Sequence, residues 1–170
     1  MTTIRLERSD DAAAVRRLNE RAFDQPVEAN LVDRLRRDCD AALSLVADDN
    51  EVVGHILFTP VVVESAGRRV VGMGLAPMAV APDRQRQGIG STLVRQGLEM
   101  LRARGCPFVV VVGHPEYYPR FGFQPASASG LTCQWEGVPD EAFMALIMDD
   151  KAMRGVAGVA RYRPEFDEFG

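Results

Sequence analysis

Met78-Ala-Val-Ala-Pro-Asp-Arg-Gln-Arg-Gln-Gly-Ile-Gly-Ser91 joins a strand-like segment to a helix through glycine-punctuated turn chemistry, and its reading decides the fold. The first amides of a helix have no intrahelical acceptor, and the helix dipole adds roughly half a positive charge at that end. Phosphate suits both features. No Ser, Thr, Asp or Asn immediately precedes the helical pattern to occupy those amides, and Gly88 and Gly90 let a ligand approach the backbone. Ile89, Leu93, Gly97 and Leu101 recur every four residues with Met100 beside them, which predicts one buried helix face. Arg102 and Arg104, then Gly105 and Pro107, end that helix. Cys106-Pro-Phe-Val-Val-Val-Val112 is a short apolar run, expected to be a strand buried on both faces and parallel to its predecessor.

Three other readings of the glycine loop compete. A P-loop needs Gly-Lys-Ser/Thr after four variable residues, and the chain has no such string. A dinucleotide fingerprint needs a third glycine where Leu93 stands and a ribose-binding acid near where Phe108 stands. The plainest alternative is a tight strand-to-helix turn with no ligand.

At 170 residues the chain has the length of one domain, expected to span 1–170. Hydrophobic residues are 46% and charged residues 26%, with no apolar stretch approaching the length of a membrane span. The start, Met1-Thr-Thr-Ile-Arg-Leu-Glu-Arg8, lacks the apolar core of a signal peptide, so the expected location is cytoplasmic. Cys39, Cys106 and Cys133 are odd in number and widely spaced, which supports neither a disulfide framework nor a metal site. A net charge of −4 argues against a nucleic-acid partner and mildly favours cationic substrates.

Ile4 to Glu7 reads as a strand; Ser9 can cap a helix with Asp10 and Asp11 in its first turn and Val15, Leu18 and Ala22 facing inward. After Pro26, Val27, Leu31 and Leu35 recur at helical spacing. Ala42 to Ala47 and Val52 to Phe58 are strands flanking a turn at Asp48-Asp-Asn50; Val61 to Glu64 and Arg69 to Val80 flank another at Ala66-Gly67. Pro125 to Gly130 reads as loop, Phe143 to Met148 as a strand, and Val159 to Tyr162 as a last strand.

The spacing Gln85-x-x-Gly88-x-Gly90 resembles the acetyl-CoA pyrophosphate loop of the GNAT superfamily of N-acetyltransferases. Leu75, Met78, Val80 and Pro82 also match the family's strand and turn, and Tyr118-Pro-Arg-Phe-Gly-Phe123 matches its second motif. Glu28-Ala-x-Leu-Val-Asp-x-Leu35, Val53-Gly-His-Ile56 and the run from Gly113 to Phe123 extend the similarity to the YhbS-like branch of small bacterial acetyltransferases. The resemblance implies an α/β fold, with a central mixed sheet of about seven strands flanked by helices and parallel strands splayed at the cofactor site. It implies acetyl-CoA as cosubstrate, no metal, and direct acetyl transfer to a primary amine of a small molecule or protein. Homodimerisation is an expectation that the resemblance alone carries.

Residue by residue, the resemblance puts the pyrophosphate on the stretch Gln85, Arg86, Gln87, Gly88, Ile89, Gly90 and Ser91, where Arg86 also adds a charge. Met78, Ala79 and Val80 would pair with pantetheine by main-chain hydrogen bonds, the Met78 amide facing the thioester oxygen. Pro77 has no amide and fits the bulge that splays two strands. Tyr118 stands where many members carry the tyrosine that protonates the thiolate; Tyr117 is its rival. A phenol of reference pKa about 10 is comparable in acidity to an alkyl thiol. Gly74 occupies the position of a catalytic glutamate in some protein-acetylating relatives, which leaves the base open among Glu28, Glu64, His55 and His114. That gap motivates a second function: a noncatalytic acyl-CoA-binding or sensing module.

Overall fold

Alternating apolar residues build the long strands of this protein, a computed structural model of which describes residues 1–169. The strands are β1 Thr3–Leu6, β2 Leu43–Asp48, β3 Val52–Ser65, β4 Arg68–Val80, β5 Phe108–Val112, β6 Gln124–Pro125, β7 Leu131–Cys133, β8 Phe143–Ile147 and β9 Gly158–Arg161. Helices α1 Ala12–Phe23, α2 Val27–Asp38 and α3 Ile89–Ala103 complete a mixed α/β fold. The strand order is β1-β2-β3-β4-β5-β8-β6, with β9 on β3 and β7 on β9; β4–β5 and β7–β9 pair in parallel. The expected central sheet is present, with β6 and β7 beyond the strands that the sequence suggests. Strands of two and three residues leave no readable alternation, and Ala126–Ser129 within the expected loop forms a 3-10 turn.

Packing divides the chain into two units, Met1–Phe58 with Ala76–Glu99, and Thr59–Leu75 with the residues from Met100 onward. In the first, β1 pairs β2 and β2 pairs β3 antiparallel, and α1 packs on α2. Val15, Leu18, Leu31, Val32 and Leu35 are at most 3% exposed, each contributing about 1.5–3 kcal/mol of apolar burial. Two expected inward residues differ: Ala22 is half-buried and Val27 is 38% exposed, while Asn19 takes a fully buried place. Ser9 is not the cap either. It begins a 3-10 turn, and Asp11 instead accepts the Arg8 amide at 2.7 Å, because a longer side chain three residues on reaches back to the orphan N–H.

In the second unit β5 pairs β8 antiparallel along its length, and its parallel register with β4 is Met73 with Val109 and Gly74 with Val110. β3 runs unbroken through Pro60, where the sequence suggests a break between two strands. The register with β2 ends at Phe58 and the register with β9 begins at Val62, so Pro60 falls where that edge asks for no amide. Ala66 and Gly67, at φ 48° and 79°, form the expected hairpin turn. Among the described residues no helix is long and apolar enough to cross a membrane.

Candidate active site

The stretch from β4 to α3 is a braced loop with an open top. Pro82–Arg84 makes one 3-10 turn, and α3 begins at Ile89. The Thr92 amide makes the first helical bond, to the Gly88 carbonyl at 3.0 Å, so the amides of Ile89 and Gly90 precede any i−4 acceptor. The side chains around them hold the loop rather than cap the helix. Arg84 reaches Asp49 at 2.8 Å and Gln87 at 3.3 Å, and the Gln85 amide donates to the Val80 carbonyl at 3.1 Å. The Arg84 bond holds the Asp49 carboxyl below its usual range. Arg86, at φ 64°, is exposed and has no acidic partner among the described residues. Gly88 has φ 85°, and a Cβ there would meet nothing within 4 Å. Open space, oriented amides and an unneutralised guanidinium fit a phosphate.

Along the end of β4, Met78 and Val80 are half-buried and Ala79 is 2% exposed. The Ala81 amide donates to the Val53 carbonyl at 2.8 Å, so this end of the strand is paired on its β3 side. Gln85, expected beside the ligand, spends its amide on Val80 and shapes the loop.

Tyr118 opens the 3-10 turn Tyr118–Phe121 and is 7% exposed. Its ring meets Tyr117 edge-on at 5.1 Å and Phe123 at 5.7 Å. A Cβ at Gly113 would stand 2.3 Å from its Cε2, so the bare backbone there makes room for the ring. Its hydroxyl has no hydrogen-bond partner among the described residues. Burial, and then the Tyr117 phenol, push Tyr118 up to about 12. The acidity match read from the sequence therefore does not survive folding, since low-dielectric surroundings disfavour the phenolate. Tyr117 is held by packing, with the Arg120 guanidinium 4.8 Å from its ring centroid.

The four candidate bases are dispersed in role. Glu28 accepts two bonds from Gln25, at 3.0 and 3.1 Å; Glu64 and His114 are exposed. His55 is fully buried, with Nδ1 3.4 Å from the Asn19 amide and Nε2 2.9 Å from the Ser44 hydroxyl. Ser44 donates to Glu7, which Arg36 also holds at 2.5 and 2.9 Å. Burial raises the Glu7 carboxyl, but the bonds from His55, Ser44 and Arg36 outweigh it and leave it at about 2. An imidazole committed on both nitrogens inside this network is a structural group. Glu7 and Ser44 also line a 340 Å³ cleft with Arg8, Arg36 and Asp40. Nothing in the sequence announces this network, whose members come from α1, α2, β2, β3 and the residue that follows β1.

The family model for the acetyltransferase (GNAT) domain matches residues 3–126. The chain is a GNAT acetyltransferase. It is 39% identical over 168 residues, 98% of this chain and 99% of the other, to the uncharacterized N-acetyltransferase YhbS of Escherichia coli K12. A crystal structure of Escherichia coli YhbS in complex with CoA superposes with a TM-score of 0.91 at 37% identity, covering 99% of this chain and 93% of that one. A GNAT family acetyltransferase from Brucella melitensis in complex with acetyl-CoA gives 0.80 at 35% identity, covering 98% and 99%. Two residues of this acetyltransferase escape a sequence reading. Tyr162 lies across Gly74, and Thr59 keeps a fully buried hydroxyl that has no partner among the described residues. The only sequence trace of either is the side-chain-free position 74, which asks what fills the space.

Proposed function

We propose that the chain is an acetyl-CoA-dependent N-acetyltransferase that moves the acetyl group directly to a primary amine. One observation carries this reading: the loop before α3 presents uncapped amides, the unpartnered Arg86 and an empty space above Gly88, in a family whose YhbS structure was solved with CoA. When bound, acetyl-CoA supplies an activated acyl carbon and a thiolate leaving group. The amides of Ile89 and Gly90, with Arg86, hold the pyrophosphate. The main chain of Met78, Ala79 and Val80 aligns the pantetheine arm, the Met78 amide donating toward the thioester oxygen as negative charge builds there. The neutral amine nitrogen bonds to the acyl carbon, the carbon–sulfur bond breaks, and the nitrogen's proton passes to solvent water, from which the Tyr118 phenol is restored after it has protonated the sulfur.

Tyr118 donates to the departing sulfur. With its phenol at about 12 against a thiol near 8.5, full transfer in the ligand-free surroundings is uphill by roughly 5 kcal/mol. The hydroxyl therefore acts first as a hydrogen-bond donor and passes its proton as sulfur charge develops. Calorimetric titration with acetyl-CoA, using CoA, NAD and ATP as controls, tests the reading. Selective binding of acetyl-CoA and CoA supports it; no binding of either overturns it.

A further inference from the structure

The cleft beside Glu7 is built within one packing unit, since every residue that lines it falls between Met1 and Phe58. The strand register explains its place. Ser44 of β2 pairs with Leu57 of β3, and the Glu7 amide donates to the Ser44 carbonyl at 3.0 Å, so the end of β1 joins them. Val32, Arg36 and Cys39, from α2 and the residue that caps it, close the other side. A Cβ on Gly54 would meet Ile89 at 2.9 Å and Leu93 at 3.0 Å, and strand residues three apart point to opposite faces. Leu57 therefore faces away from α3, and the cleft shares no residue with the loop that precedes that helix.

The floor of the cleft is satisfied and its rim is not. Glu7 accepts Arg36 at 2.5 and 2.9 Å and the Ser44 hydroxyl, so its charge is already matched inside the fold. Val32, Cys39 and Leu57 are at most 5% exposed and present an apolar wall. At the rim Arg8 and Asp40 are exposed, and neither side chain has a hydrogen bond or ion pair among the described residues. Asp11, whose charge Arg8 also feels, is bonded by Arg5 at 2.7 and 3.0 Å. A ligand with a single charge would leave one rim charge unmatched, and an uncharged apolar one would dehydrate both. A zwitterion matches both, and a guanidinium binds a carboxylate through parallel hydrogen bonds. The 340 Å³ volume stands at the small end of the range for small-molecule sites, roughly 300–1,000 Å³.

We propose that this cleft is a binding site for a zwitterionic α-amino acid with an aliphatic side chain. Arg8 takes the carboxylate, Asp40 takes the ammonium, and the side chain rests on Val32, Cys39 and Leu57. The inference goes beyond acetyl transfer and does not depend on it.

Calorimetric titration of the whole chain with L-leucine is the test. Three comparators each remove one element: 4-methylpentanoate lacks the ammonium, 3-methylbutylamine lacks the carboxylate, and glycine lacks the side chain. L-Leucine should bind about tenfold or more tightly than each of them. Arg8→Gln and Asp40→Asn should each weaken leucine binding by about tenfold. Both residues are exposed, so the melting temperatures without ligand should match the wild type, which separates a lost contact from a lost fold. Leucine affinity should also stay within about twofold when acetyl-CoA is saturating, because the two sites share no residue. No leucine binding, equal binding of any comparator, undiminished binding in either variant, or competition with acetyl-CoA overturns the inference. Failure of acetyl-CoA itself to bind overturns the cofactor reading and leaves this one to stand or fall on the leucine titration.

Discussion

The Gln85 side-chain amide donates to the Val80 carbonyl across 3.1 Å, closing the loop back onto the strand that feeds it. A net hydrogen bond of this kind is worth about 1 kcal/mol. Gln85→Ala should therefore weaken acetyl-CoA binding by about fivefold while moving the melting temperature little, since the residue is exposed. Calorimetry and a thermal melt read the two quantities separately. An unchanged dissociation constant would remove Gln85 from the description of the loop.

Gly88→Glu should abolish measurable acetyl-CoA binding. The φ of 85° strains any side chain, and the carboxylate would project into the space proposed for phosphate. Gly88→Ala separates the two causes, retaining strain without charge, and should bind more weakly than wild type but detectably. Wild-type affinity in Gly88→Glu would sink the phosphate reading.

Tyr118→Phe should slow acetyl transfer by about tenfold or more with cofactor affinity nearly unchanged. The raised phenol also has a consequence for folding. It favours the protonated form in the native state, so its contribution is complete below pH 10 and is lost as pH rises toward about 12. Wild-type stability should drop between those limits by an extra amount on the order of 2–3 kcal/mol that Tyr118→Phe lacks, measured by urea unfolding. Parallel alkaline losses in the two proteins would show that the phenol is not buried in solution.

The acid limb belongs to Glu7 and Asp11, each held at about 2 in the fold. For a depressed carboxyl the stabilisation is present above its unfolded value and disappears as pH falls through the folded one. Stability should thus decline from about pH 4.5 to pH 2, and Glu7→Gln should flatten part of that decline. At neutral pH the same substitution leaves Arg36 and the buried His55–Ser44 pair without their anion, costing on the order of 3 kcal/mol. Urea unfolding at pH 7 and pH 3 checks both; a neutral-pH cost near zero would mean that the network is not held by charge.

How much of this was legible beforehand follows from how local each signal is. The helix after Gly88 announced itself through Ile89, Leu93 and Leu101, because one helix face repeats within its own sequence. Pro60 misled, since a residue that breaks a central ladder is harmless on an edge where the register with one neighbour has ended and that with the next has not begun. The Asn19–His55–Ser44–Glu7 chain and the contact of Tyr162 with Gly74 join residues far apart in the chain, and no periodicity encodes such meetings. The acidity of Tyr118 was also out of reach, because desolvation is a property of the assembled neighbourhood.

The contact between Gly113 and the Tyr118 ring separates the identity of the proposed proton donor from its aim. The phenol points where it does because a neighbour five positions upstream contributes no atoms to the space it fills. Redirecting the donor would need no change to the tyrosine. One methyl group at position 113 would tilt the ring, leaving the same chemistry aimed at a different point.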